Sequence, residues 1–166
     1  MDVSIRTITL FTSVVLTGLS AGLFYAWSVS VIPGTQKISD MSYLETMQSI
    51  NRAILNPLFF LVFFGSIVAL GAATSYHIRT DKLAFGLLLV SSLLYLFGTL
   101  GVTGMGNVPL NNELEAMDLS ALGLEKLKTF RSYYETQWNR LHVIRTFCAI
   151  GSFLLAVITV FTQIKK

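Results

Sequence analysis

Residues 141–164 read LHVIRTFCAIGSFLLAVITVFTQI, and this stretch decides the fold. It is apolar over the roughly 20 residues that a helix needs to cross a bilayer. Yet it opens with His142 and Arg145, and Trp138, Asn139 and Arg140 stand immediately before it. A histidine and an arginine entering a membrane helix together are costly, so they face a partner or a cavity. Working outward, three more apolar runs lie at 7–32, 56–76 and 83–102, and the fourth span, counted from Trp138, is 138–164.

The composition agrees with that reading. Of 166 residues, 53% are hydrophobic and 13% charged, the balance of a polytopic membrane protein rather than a water-soluble domain. The expectation is an all-α bundle of four transmembrane helices, forming a single integral membrane domain over 1–166. The first run continues past Ala21 to Ile32, longer than a signal core, so an uncleaved first span is expected. A net charge of +3 without a basic stripe or a nucleic-acid-reading motif excludes nucleic acid as a partner. Cys148 is the only cysteine, so no intrachain disulfide forms. No Glu-x-x-His, His-x-x-x-His or Cys-x-x-Cys spacing occurs, and no phosphate-binding glycine loop. His77 and His142 belong at opposite ends of the bundle, about 20–30 Å apart, too far to share a metal. No metal site and no cofactor are expected, with a haem on a single histidine left open.

Basic residues set the orientation. Arg6, the short turn holding Arg79 and Lys82, and the tail Lys165–Lys166 sit on one side, which the positive-inside rule makes cytoplasmic. Both termini are then inside, with the plasma membrane as the expected location, and 33–55 and 103–137 are outer connections.

Pro33–Gly34 is expected to stop the first helix. Residues 41–55 then read as an amphipathic helix over the bundle mouth, with Leu44, Met47, Asn51, Ile54 and Leu55 on one side and Gln48 among them. Gln48 and Asn51 need hydrogen-bond partners or a ligand there. In the second connection Asn107 and Asn111 flank Pro109 in a turn, and Asn112 with Glu115 resembles a capping box. Gly123 marks a break. From Leu124 one helical face carries Leu127, Tyr134, Trp138, His142, Arg145 and Ala149, so the fourth helix extends beyond the membrane. Gly18 and Gly22 allow close helix approach, as do Gly98 and Gly101. Tyr25 shares the face of Gly18 and Gly22, which aims its hydroxyl into the bundle.

A neutral imidazole takes a proton near neutral pH, and a neighbouring guanidinium holds an anionic oxygen. His142 and Arg145, one turn apart beside Trp138, supply that pair. On spacing alone, an interfacial cluster that bonds nearby amides and anchors the helix is the plainer reading. Arg140 falls near the opposite face and reads as a head-group contact.

Taken in order, the segments Gly22-Leu23-Phe24-Tyr25-Ala26-Trp27-Ser28 with Pro33-Gly34, Met47-Gln48-Ser49-Ile50-Asn51, Asn56-Pro57, Asn107-Val108-Pro109-Leu110-Asn111 and Trp138-Asn139-Arg140-Leu141-His142-Val143-Ile144-Arg145-Thr146 resemble the anthrone oxygenase-like family of small four-span membrane proteins. The resemblance implies a membrane oxidoreductase or monooxygenase that oxidises an anthrone- or quinone-like aromatic with molecular oxygen, and it implies no particular cofactor. It turns the balance for the pair toward function: His142 as base and Arg145 as oxyanion clamp. Tyr25, Gln48, Asn51, Asn107, Asn111 and Trp138 are expected to bind substrate.

Three rivals stand beside this reading. One is a non-catalytic protein or accessory subunit that holds a lipid, quinone or haem. Another is a scaffold of the claudin or tetraspanin kind, disfavoured by the single cysteine. A transporter, lacking an internal repeat, would have to act as a homo-oligomer.

Overall fold

A computed structural model describes residues 4–164, and among them every regular element is helical. Lys165 and Lys166, on which part of the orientation argument rests, lie outside the described residues. Five helices carry the architecture. Four are long and apolar enough to cross a membrane: α1 (Ile5–Thr35), α3 (Pro57–His77), α4 (Lys82–Glu115) and α5 (Leu124–Ile164). The fifth, α2 (Asp40–Ala53), is the amphipathic element of the first connection. The protein is a multi-pass membrane bundle.

Each helix start follows from local chemistry. Ser4, Ser39, Asn56 and Asp81 cap α1 to α4, their side-chain oxygens accepting from backbone N–H groups of the first turn. Pro57 occupies the first position of α3, where its missing N–H costs nothing. Gly123 breaks the chain before α5, which then runs unbroken for 41 residues.

Large apolar side chains such as Phe11, Leu58, Val68, Phe97 and Phe147 point outward, as lipid-facing residues do. Inside, Leu10, Leu70, Leu88, Tyr95 and Ala156 fill the end of the bundle near the termini, and Ala21, Phe24, Phe63 and Ala149 fill its middle. Polar groups within the spans find partners across helices. The Tyr95 hydroxyl donates to the Phe63 carbonyl at 3.1 Å and lies 2.8 Å from Ser20 Oγ. Ser91 Oγ donates to the Ser152 carbonyl at 2.8 Å. A side chain at Gly98 would run into Cys148, so α4 and α5 meet closely there.

The far end is closed by α2 and the outer part of α5. Tyr43, Leu44 and Met47 pack against Leu110, Leu114, Leu119, Leu127, Tyr134 and Trp138. Arg131 straps the linker before α2 to α5. It donates to the Ile38 carbonyl at 2.7 Å, pairs with Asp40 at 3.0 Å and Glu135 at 3.1 Å, and lies over the Tyr43 ring. Burial first, and then the Glu135 charge, pushes the Tyr43 hydroxyl pKa upward, so this phenol stays neutral.

Several expectations are corrected. Pro33–Gly34 does not end the first helix, because the turn Trp27–Val31 widens to a π register in which the Ile32 N–H reaches the Trp27 carbonyl. The register change absorbs the donor that Pro33 lacks, and the helix continues to Thr35. The same device operates in α4. A π turn at Thr103–Asn107 precedes Pro109, so the third helix continues to Glu115 instead of stopping near 102. Asn107 and Asn111 therefore lie one helical turn apart rather than in a loop, and Asn112 is not a cap. Tyr25 is 57% exposed and its side chain does not turn into the bundle. Leu55 and Leu124 are exposed rather than packed. A Cβ at Gly22 would meet nothing within 4 Å, so close packing does not explain that glycine, whereas Gly18 faces the Phe153 ring.

Charged hydrogen bonds of the Arg131 kind contribute roughly 1.5–3 kcal/mol each. Arg131→Ala is expected to leave the four spans assembled but to free the cap. Amide hydrogen exchange over residues 35–53 should accelerate about 30-fold, the effect of about 2 kcal/mol of local opening.

Candidate functional site

At the capped end the five helices enclose a cavity of about 350 Å³. That volume is at the lower end of small-molecule sites. Leu23, Phe24 and Trp27 come from α1, Ile50, Asn51 and Arg52 from α2, and Phe59 from α3. Thr103, Val108, Asn111, Asn112 and Glu115 come from α4, and Trp138 and Arg145 from α5. The lining is mostly apolar with a few polar groups, and Arg52 and Glu115 pair at 2.7 Å on its exposed rim.

Arg145 is the buried charge of the cavity. The α5 register places it one turn beyond His142, on the wall of the cavity. Its guanidinium carbon lies 4.8 Å from the Phe24 ring and 4.8 Å from the Trp138 ring, between two aromatic faces. Its Nε and Nη2 approach His142 Nδ1 at 3.2 and 3.0 Å, and Nη1 reaches Thr103 Oγ1 at 3.5 Å. Among the described residues no carboxylate lies within ion-pair distance of it.

The hydrogen accounting fixes the His142 tautomer. A guanidinium only donates, so Nδ1 accepts. Nε2 lies 2.9 Å from Ser28 Oγ, 3.2 Å from the Phe24 carbonyl and 3.3 Å from Thr146 Oγ1. The Ser28 hydroxyl already donates to the Phe24 carbonyl and the Thr146 hydroxyl to the His142 carbonyl. Nε2 therefore carries the hydrogen. The ring stacks on Trp138 at 5.1 Å with planes 9° apart. His142 is fully buried behind the cavity wall, with both ring nitrogens engaged. The imidazole expected as a free base has no unoccupied lone pair in this arrangement.

A second network orients the opposite wall. Trp138 Nε1 and the Tyr134 hydroxyl both donate to Asn111 Oδ1 at 3.0 Å. Asn51 Nδ2 donates to the Tyr134 hydroxyl at 3.2 Å. With Asn111 Oδ1 committed twice, its amide nitrogen and Asn51 Oδ1 are the groups left for a ligand.

The structure thus brings Asn51, Asn111, Trp138 and Arg145 to one cavity, with His142 directly behind Arg145. Asn107 lies behind the wall instead. Its Nδ2 donates to the Trp138 carbonyl at 3.3 Å, and its buried Oδ1 finds no hydrogen-bond partner among the described residues. Gln48 is spent on the last turn of α4 and the chain just after it, donating to the carbonyls of Leu114 and Met117. Tyr25 is not part of the cavity. Phe24, Ser28, Thr103 and Tyr134 were missed as site residues. Tyr134 sits one turn before Trp138 on the same face, and that spacing was a usable signal. His77 is at the opposite end of α3, buried, with Nδ1 donating to the Ala73 carbonyl at 2.7 Å. Among the described residues no three His, Cys, Asp or Glu side chains group closely enough to hold a metal ion.

No curated protein and no solved structure matches this chain. The family model described as anthrone oxygenase matches residues 59–155, more than half of the chain. The matched range contains Asn107, Asn111, Tyr134, Trp138, His142 and Arg145, whereas Phe24, Trp27 and Asn51 precede it. With four helices long and apolar enough to cross a membrane and a family model matched over more than half of its length, the chain belongs to the anthrone oxygenase family.

Proposed function

We propose that this protein is a membrane oxygenase acting on a flat, anthrone-like aromatic that enters from the lipid phase. The observation that carries the reading is Arg145: a buried guanidinium, unpaired with any carboxylate of the described residues, facing an otherwise apolar chamber between two aromatic rings. The membership in the anthrone oxygenase family supports the reaction class.

The chemistry needs little from the protein. The CH₂ between the two outer rings of an anthrone loses a proton to water at the cavity rim, which returns it to the peroxide formed later, and the electron pair delocalises onto the ring oxygen. That oxyanion lies against Arg145, with the Asn111 amide as a second donor. Preorganised donors in a largely apolar site are worth far more than in solution. The electron-rich carbon adds molecular oxygen. Loss of the second proton from that carbon and cleavage of the O–O bond leave a ketone and release water, so anthrone plus O₂ gives anthraquinone plus water. The delocalised carbanion itself supplies the electrons, and no metal or organic cofactor is required. Arg6, Arg79 and Lys82, at the end away from the chamber, support cytoplasmic termini and a chamber facing the outer side of the plasma membrane.

Arg145→Ala removes the oxyanion donor and is expected to lower kcat at least about 100-fold in an anthrone oxidation assay on purified protein. His142→Ala, which unseats the guanidinium, should fall similarly, whereas the exposed Arg140→Ala stays near wild type. Full turnover in a correctly folded Arg145→Ala would reject the assignment. Tyr134→Phe breaks the link between Asn51 and Asn111 without entering the cavity wall. Two neutral hydrogen bonds are lost, and about 1 kcal/mol of that loss, the share that orients the Asn111 amide, falls on substrate binding, so a rise in KM of about fivefold with kcat nearly unchanged is expected from steady-state kinetics.

A further inference from the structure

We propose that the chamber takes its aromatic ligand as an oxyanion, and that His142 is the positioning residue for the guanidinium that stabilises it rather than the base that creates it. The proposal rests on the aromatic-ligand reading above and assigns both the ionisation state of the ligand and the part played by the imidazole.

Charge balance is the first argument. Arg145 is only 8% exposed, and taking an ion out of water costs several kcal/mol unless it is paired. Its partners here are a neutral imidazole, a distant hydroxyl and two ring faces, none of which carries negative charge. The other charges on the cavity wall cancel, because Arg52 of α2 and Glu115 of α4 pair with each other at the exposed rim. From α1 and α3 the wall receives only apolar side chains, Leu23, Phe24, Trp27 and Phe59. Of the titratable groups near it on α5, His142 presents a lone pair and Tyr134 a hydroxyl already donating to Asn111. One positive charge is left unbalanced, and a ligand oxyanion balances it.

The second argument is proton traffic. His142 Nδ1 already accepts from two N–H groups of Arg145, and Nε2–H is directed at Ser28 and the Phe24 carbonyl. Protonating Nδ1 would replace a hydrogen bond to a guanidinium with a contact between two cations. The imidazole accepts from Arg145 and holds it in place. The ligand class that follows is a planar polycyclic phenol or enolisable ketone. Its O–H or C–H bond breaks, the electron pair stays on the ligand, and the proton passes to water at the rim marked by Arg52 and Glu115.

The test needs no turnover. A hydroxyanthraquinone is already oxidised, and its visible band moves to the red on ionisation. Titrated with purified protein in detergent, its apparent pKa should fall by at least one unit relative to detergent alone, equivalent to at least tenfold tighter binding of the anion than of the neutral form. Arg145→Gln should abolish the fall. His142→Asn keeps an amide oxygen where Nδ1 stood but takes no proton near neutral pH, so it should retain most of the shift and of anthrone turnover. His142→Leu should lose both. Binding of the neutral probe at low pH reports an intact chamber in every variant, and should one fail that check, the wild-type titration and His142→Asn decide. An unshifted pKa in bound wild-type probe, with anthrone still oxidised, overturns the oxyanion proposal and Arg145 as oxyanion donor, and leaves the reading as an oxygenase of an anthrone-like aromatic standing. A His142→Asn protein with a normal shift but no turnover returns the imidazole to the role of base. Failure of the wild-type protein both to bind the probe and to oxidise anthrone overturns the aromatic-ligand reading as well.

Discussion

The contact between Arg145 and His142 Nδ1, one turn apart on a single membrane helix, is the interaction on which the rest of the site depends. A guanidinium inside a bilayer is tolerated only where something holds and screens it. Here a neutral imidazole fixes its edge, and the Phe24 and Trp138 rings cover its faces. The imidazole is in turn fixed by Ser28 and the Phe24 carbonyl of α1 and by its stack on Trp138. Each layer leaves the next with one orientation, so the charge is presented to the chamber in a defined place.

Helix irregularities flank that charge. The π turns at Trp27–Val31 and Thr103–Asn107 lie on α1 and α4 on either side of the chamber. Wide turns of this kind re-aim side chains and recur at functional sites. They also let Pro33 and Pro109 sit within continuous helices, which extends both beyond the apolar core to meet the cap. Deeper in the bundle, Gly98 packs closely against Cys148 and the Tyr95 hydroxyl bonds Ser20 and the Phe63 carbonyl, whereas the cavity lies at the end that Arg131 and α2 close.

The four spans, the amphipathic cap and the long final helix were legible in the sequence because apolar run length and 3.6-residue periodicity are global patterns. So was the inward face of α5, where Tyr134, Trp138, His142 and Arg145 follow at helical spacing. What the pattern did not contain was backbone register. Pro33 and Pro109 read as stops because a proline normally ends or kinks a helix, and a π turn that absorbs its missing donor leaves no mark in composition. That misreading displaced Asn107 and Asn111 into a loop. Tyr25 was aimed inward by extrapolating from two glycines, one of which faces open space. Gln48 was legible as a polar group needing a partner, but its partners are backbone carbonyls in the last turn of α4 and just after it, which side-chain identity does not announce. The tautomer of His142 depends on donors from α1 and α5 together and was out of reach without coordinates.

The central claim is that an aromatic ligand lies in this chamber with an oxygen against Arg145. An experimental structure of the protein in a lipid bilayer with an anthraquinone product bound tests it most directly. The account predicts the fused rings beside Trp138 and Phe24, with one ring oxygen within hydrogen-bond distance, about 3 Å, of the Arg145 guanidinium. Density for the ligand elsewhere on the bundle, or an Arg145 turned out toward lipid headgroups while the chamber fills with packed hydrocarbon, would contradict it.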